Sequence, residues 1–66
     1  MENNLFLYRK MAKLRQLDIA RVLDMTEQSV SNIETGRVKV SVDRAIQIGK
    51  ILNVDHKKIF PSLFKK

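Results

Sequence analysis

The interruption at Leu23-Asp24-Met25-Thr26 constrains this chain more than any other feature, because it ends one amphipathic helix and starts another almost at once. Before it, in QLDIARVL, Ile19, Ala20 and Leu23 fall on one helical face. After it, in TEQSVSNIETG, Val30 and Ile33 are the only apolar residues and form one narrow stripe. A turn this tight needs a residue with positive φ, and Asp is among the few besides Gly that tolerate it. Helices joined this way fold back on each other, and Ala20 is the small side chain a close crossing needs. Met25, with its flexible thioether, fits the core beneath the turn. Thr26 reads as an N-cap, Glu27 suits the positive end of the helix dipole, and Gly36 suits the left-handed position past the last turn. Glu27, Gln28, Ser31 and Asn32 lie away from the apolar stripe. A helix that is polar over most of its surface gains little from packing, so its composition points to a partner for the polar face.

The rest of the chain reads as scaffold. One Pro and two Gly in 66 residues leave few breakers, and the 3.6-residue periodicities make the chain all-α. A first helix is expected over Asn4–Ala12, capped by Asn3 or Asn4, with Leu5, Tyr8 and Ala12 as its inner stripe. Phe6 and Leu7 widen its apolar surface, toward either the C-terminal segment or a partner. The second helix is expected over Arg15–Leu23 and the third over residues 26–35. VKVSV at 38–42 alternates with period two but is short, and is expected to be an extended loop. Ser41 caps a fourth helix to Leu52, with Asp43 in its first turn and Val42, Ala45, Ile48 and Leu52 inward. Ile46 and Ile51 are left over from that stripe. Val54 returns to the core, and Asp55 caps a short fifth helix, HKKIF, closed by Pro61. Residues 61–66 read as a short tail that keeps Leu63 and Phe64.

Composition excludes several classes. A chain of this length is one domain, residues 1–66, and buries only about 60% of its unfolded surface, so its stability is modest. There are no cysteines, which removes disulfide and thiolate chemistry and argues against a small secreted fold. No apolar run approaches the roughly 18 residues a membrane span requires. The N-terminal apolar patch, Leu5 to Tyr8, is too short for a signal-peptide core, and Glu2 stands where a basic leader would. A cytoplasmic location is the expectation. Thirteen Lys plus Arg against seven Asp plus Glu give a net charge of +6, and the pI of 10.1 is an electrostatic footprint for polyanions. The excess is uneven, with eight basic and three acidic residues over 34–66 against five and four over 1–33.

Gln16, Ile19-Ala20, Leu23, Met25-Thr26, Ser29-Val30-Ser31, Ile33-Glu34 and Gly36, continued by Ser41-Val42, Ile48, Leu52, Val54 and Ile59-Phe60, form an uninterrupted pattern. In these residues the chain resembles the lambda-repressor-like, or Xre-like, helix-turn-helix family, over about Leu5 to Phe60. The resemblance implies a compact all-α five-helix domain with its helix-turn-helix in helices 2 and 3. It implies that the third helix enters the major groove of double-stranded DNA while the second crosses the phosphate backbone. Glu27, Gln28, Ser31 and Asn32 map to the surface that reads bases. Gln28 and Asn32 are amides that can pair with adenine, and Glu27 can accept from cytosine N4 or instead buttress Gln28 or a nearby Arg. Gln16 would donate to a phosphate, with its own N–H at a helix N-terminus. Arg15, Arg37 and Lys39 complete the phosphate set. Glu34 would pair with Arg9 of the first helix. The chain departs from the family pattern in Arg15 where Ser or Thr is common, Asp24 where Gly is common, and Val40 where Pro is common.

Blander readings apply to other residues. His56 is a lone histidine without the companion ligands zinc needs and reads as a solvated first-turn residue, so neither metal nor cofactor is expected. Lys57, Lys58, Lys65 and Lys66 read as a solubilising face rather than a DNA contact. Phe6, Ile46, Leu63 and Phe64 either complete the core or form a two-fold dimer patch. A homodimer is expected, because one short recognition helix reads too few base pairs, and two helices about 34 Å apart would read a palindrome. Nothing resembles catalytic machinery: there is no Ser-His-Asp set and no phosphate-cradling Gly loop. No small-molecule ligand is expected. The expectation is therefore a dimeric transcriptional repressor or controller of phage or mobile-element type on a palindromic operator. The alternative is an antitoxin-type interaction module with secondary DNA binding, which the short segment after Phe60 disfavours.

Overall fold

A computed structural model describes residues 3–64, Phe64 by its backbone alone. Five α-helices follow one another: α1 (Leu5–Met11), α2 (Gln16–Leu23), α3 (Glu27–Glu34), α4 (Val42–Leu52) and α5 (His56–Ile59), with a 3₁₀ turn over Pro61–Phe64. No strand occurs among the described residues, and 38–41 is irregular, with Val42 opening α4. None of the described helices is long and apolar enough to cross a membrane. The helices start and stop within one or two residues of the sequence-based expectation. The 3₁₀ turn is a correction, since 61–66 reads in the sequence as a plain tail; Pro61 cannot extend α5, but its fixed φ starts a new tight turn.

Local chemistry explains each start. The Asn3 carboxamide oxygen accepts from the Leu5 N–H at 2.9 Å and so performs the cap at α1. Thr26 and Ser41 accept from the N–H groups of Ser29 and Arg44, and Asp55 accepts from that of Lys57. Arg15 has no acceptor atom, yet the start of α2 is not bare: the Asp18 carboxylate reaches back to the Arg15 N–H at 2.8 Å. That is the acidic half of a capping box.

The stops share one device. The first four helices each end in paired back-bonds to the last turn, of the kind that require a left-handed residue just past the helix. Lys13, Asp24, Gly36 and Asn53 supply it, with φ of 60°, 55°, 80° and 56°. At α3, for example, the Gly36 N–H donates to the Ile33 carbonyl at 3.2 Å and the Arg37 N–H to that of Asn32 at 3.0 Å.

The core consists of Leu5, Ile19, Ala20, Val30, Ile33, Ala45, Ile48, Leu52, Ile59 and Phe60. Leu23, Met25, Ile51, Val54 and Leu63 pack against it half-buried. Two expected stripe residues are exposed instead. Ala12 lies past the last turn of α1 and is exposed. Val42, in the first turn of α4, sits at the edge of a face centred on Ala45, Ile48, Gly49 and Leu52, and is 47% exposed. Gly49 is in that face because the chain returns against it: a Cβ there would lie 2.8 Å from the Val54 carbonyl oxygen.

Side chains tie the scaffold to the α2–α3 unit. Asn3 donates to the Ile33 carbonyl at 2.7 Å, and Arg44 of α4 donates to the Leu23 carbonyl at 3.3 Å. The Arg44 contact satisfies a carbonyl in the last turn of α2, and Asn3 adds a second donor to the Ile33 carbonyl that Gly36 already caps. The N-terminal segment is also stitched to α5 through the Asn4 N–H to the Ile59 carbonyl, 2.8 Å.

Candidate nucleic-acid interface

The α3 helix divides sharply. Val30, Ile33 and Glu34 are buried, while Glu27 and Gln28 are exposed and Ser31 and Asn32 half-buried. Gln16, Glu27, Gln28 and Ser31 line one surface concavity between the start of α2 and the first turns of α3. Asn32 joins this group through the Gln28 carboxamide, whose nitrogen donates to the Asn32 oxygen at 3.1 Å. That bond leaves an acceptor on Gln28 and a donor on Asn32, the complement of the adenine major-groove edge. At the other side of the first turn the Thr26 and Ser29 hydroxyls are 2.8 Å apart.

The orientation of α3 depends on a buried charge. Glu34 accepts from Nε of Arg9, and its second oxygen lies 3.4 Å from Arg9 Nη2. Arg9 also donates to the Leu14 carbonyl at 2.8 Å. Gln16 donates to the same Glu34 oxygen at 3.0 Å. One carboxylate at the end of α3 thus holds α1 through Arg9 and the first residue of α2 through Gln16. Two buried charges are costly unless paired and hydrogen-bonded, and here both are. The Phe6 ring lies against two cations, its centre 5.3 Å from the Arg9 guanidinium and 5.7 Å from the Lys10 ammonium.

The expected phosphate residues are placed unevenly. The Gln16 side chain, expected to donate to a phosphate, has one amide N–H on Glu34, which leaves its second N–H and the backbone N–H of the first helical residue as donors. Arg15 lies beside it, exposed, with Nη2 3.1 Å from Asp18 Oδ1. This bond, and the attraction of Asp18, hold the Arg15 pKa above its ordinary value; the field of Glu27 on α3 adds a smaller pull in the same direction. Asp18 is correspondingly held below the usual carboxylate range, first by the Arg15 side chain and then by the Arg15 N–H. Arg37 is exposed directly after the α3 back-bonds, which fix its backbone. Lys39 lines a different concavity, with Val38, Val40, Phe60 and Leu63.

Of the four residues expected as a dimer patch, the three whose side chains are described border different parts of the surface. Phe6 is 40% exposed beneath its two cations. Ile46 lines a hollow at the α4–α5 junction, and Leu63 packs on the core at the edge of the Lys39 concavity. The side chain of Phe64 lies outside the described residues, as do Lys65 and Lys66.

Sequence reasoning missed Asp18 and the second partner of Glu34. An acid three residues after a helix start is a recognisable cap signal; a glutamine reaching a carboxylate on another helix leaves no sequence signal. Among the described residues no group of three or more His, Cys, Asp or Glu could hold a metal ion.

Comparison with known proteins matches the sequence to a family. A family profile described as Helix-turn-helix matches residues 5–59, all of α1 to α5. The chain is also similar to a protein of Methanocaldococcus jannaschii named as an uncharacterized HTH-type transcriptional regulator. The two are 35% identical over 60 residues, covering 91% of each chain.

Proposed function

The chain belongs to the Xre/lambda-repressor-like helix-turn-helix family, and from that membership we propose that it is a sequence-specific DNA-binding transcriptional regulator, not an enzyme. The observation that carries this reading is the exposed edge of α3. Glu27, Gln28, Ser31 and Asn32 line it together, opposite a buried Val30–Ile33–Glu34 face, beside the first turn of α2. In this reading α3 lies in the major groove, Gln28 and Asn32 read adenine, and Ser31 accepts or donates at a neighbouring base. Glu27 stands within the electrostatic reach of Arg15, so its charge is partly offset where phosphates crowd. Arg15, Arg37 and Lys39 neutralise backbone phosphates, and the Gln16 N–H approaches one at the helix N-terminus.

The regulator acts as a homodimer on a palindromic operator in the cytoplasm, and represses by occupying a promoter. Each protomer carries a single α3, so reading two half-sites about 34 Å apart takes a second copy. The exposed parts of Phe6, Ile46 and Leu63 are the apolar surface offered to a second copy.

Gln28→Ala tests the base-reading role. Affinity for the cognate site falls by about 1–3 kcal/mol and preference relaxes at one base position. Equal weakening on every sequence would remove Gln28 from the reading surface.

A further inference from the structure

The entry to α2 carries a contact that the proposed DNA contacts do not use. One carboxylate, that of Asp18, engages Arg15 three times: with Oδ1 from Nη2 at 3.1 Å, and with Oδ2 from Nε at 3.3 Å and from the backbone N–H at 2.8 Å. It therefore caps the helix and also occupies the donor edge of the guanidinium. That edge, Nε with Nη2, is one of the two through which a guanidinium meets a carboxylate or a phosphate by paired N–H donors, so a phosphate approaching from the α2 side competes with Asp18 for it. The Arg15 side chain is 71% exposed, so an exchange of partners disturbs nothing in the core.

We propose that Asp18 is an internal competitor for the phosphate contact of Arg15: the carboxylate holds the guanidinium in the free protein, and a DNA backbone phosphate displaces it on binding. This rests on the reading of Arg15 as a phosphate contact. Two consequences follow from the charge balance. DNA affinity is lower than the Arg15 charge alone would give. The salt dependence is also shallower, because the Asp18 carboxylate takes up a cation when Arg15 leaves it, offsetting a counterion released from the DNA. Asp18 acts through Arg15 and is a positioning residue.

The test uses the full chain and a mixed-sequence DNA duplex, with binding measured across a salt series. Asp18→Asn removes the charge but keeps an oxygen that accepts from the Arg15 N–H. Asp18→Gln is a second neutral variant, since glutamine at this helix position also reaches back to the cap. Thermal melts check that both are folded. At low salt both bind roughly two- to fivefold more tightly, the scale of an exposed ion pair, and the salt slope steepens by up to about one unit. In an Arg15→Ala background the gain falls away. Equal tightening in both backgrounds reduces Asp18 to a general repulsion of DNA and overturns the proposal, as does no tightening at all. If Arg15→Ala alone leaves binding unchanged, the reading of Arg15 fails and the proposal with it; if Arg15→Ala weakens binding while the Asp18 variants do not behave as described, only the competition fails.

Discussion

Lys13 sits at φ 60°, past the end of α1, in a conformation that costs most L-residues about 1–2 kcal/mol. Glycine lacks that penalty but loses more freedom on folding. Lys13→Gly is therefore expected to raise stability by about 0.5–1 kcal/mol, and the melting midpoint by about 4–8 °C per kcal/mol in a domain of this size. A melting midpoint that stays or falls would mean the lysine side chain compensates. Asp24 and Gly36 could be placed at such turns from the sequence, because their chemistry favours positive φ. Lys13 could not, because lysine carries no such preference and only the back-bonds to Arg9 and Lys10 reveal its role. Asp18 gives a pH prediction at the same scale. Its pKa is lowered in the folded chain by Arg15. Its contribution is then fully present above the unfolded carboxylate value, about 3.9, and is lost as pH falls through the lower folded value. An NMR titration of the Asp18 carboxyl carbon should give a midpoint below that of a model peptide; a midpoint at or above it would show that the Arg15 contact does not persist in solution.

Between helices, Glu34 is the joint. It fixes α3 against α1 through Arg9 and against α2 through Gln16, so α3 is oriented by a charge network as well as by Val30 and Ile33. Arg9→Ala leaves the Glu34 carboxylate buried without its cation and is expected to cost about 3–5 kcal/mol. Against the 5–15 kcal/mol typical of whole domains, that is enough to leave much of the population unfolded on a urea or thermal curve. A loss under about 1 kcal/mol would mean that water or Gln16 replaces the arginine readily. The helices themselves were readable from periodicity and caps, because those signals lie within a few residues of one another. The Gln16–Glu34 bond and the Arg44 contact to Leu23 join residues about two dozen positions or fewer apart across a tertiary contact, and spacing holds no information on them. The same limit explains Val42: helical phase places it near the inner face, but only the packing of its neighbours decides which edge of that face is covered.

The whole molecule is a small core carrying a basic surface, and its proposed action depends on a second copy. Sedimentation across micromolar concentrations, with and without DNA, is expected to show a 7.7 kDa chain passing to twice that mass. A monomer under every condition, at one protomer per bound duplex, would remove the palindrome from the account. The candidate site was legible in the sequence as a set of residue types on one helix. How they are joined was not: the Gln28–Asn32 bond, the Gln16–Glu34 bond and the Asp18 clamp on Arg15 all depend on side-chain placement. The central claim is that the exposed edge of α3 reads bases. Selection of bound duplexes from random DNA tests it most directly, run in parallel with the native chain and Gln28→Ala. The account predicts that the native chain enriches one defined site containing adenine-dependent positions, and that the variant loses discrimination at one of them while keeping the rest. No enrichment by the native chain, or an unchanged site with Gln28→Ala, would contradict it.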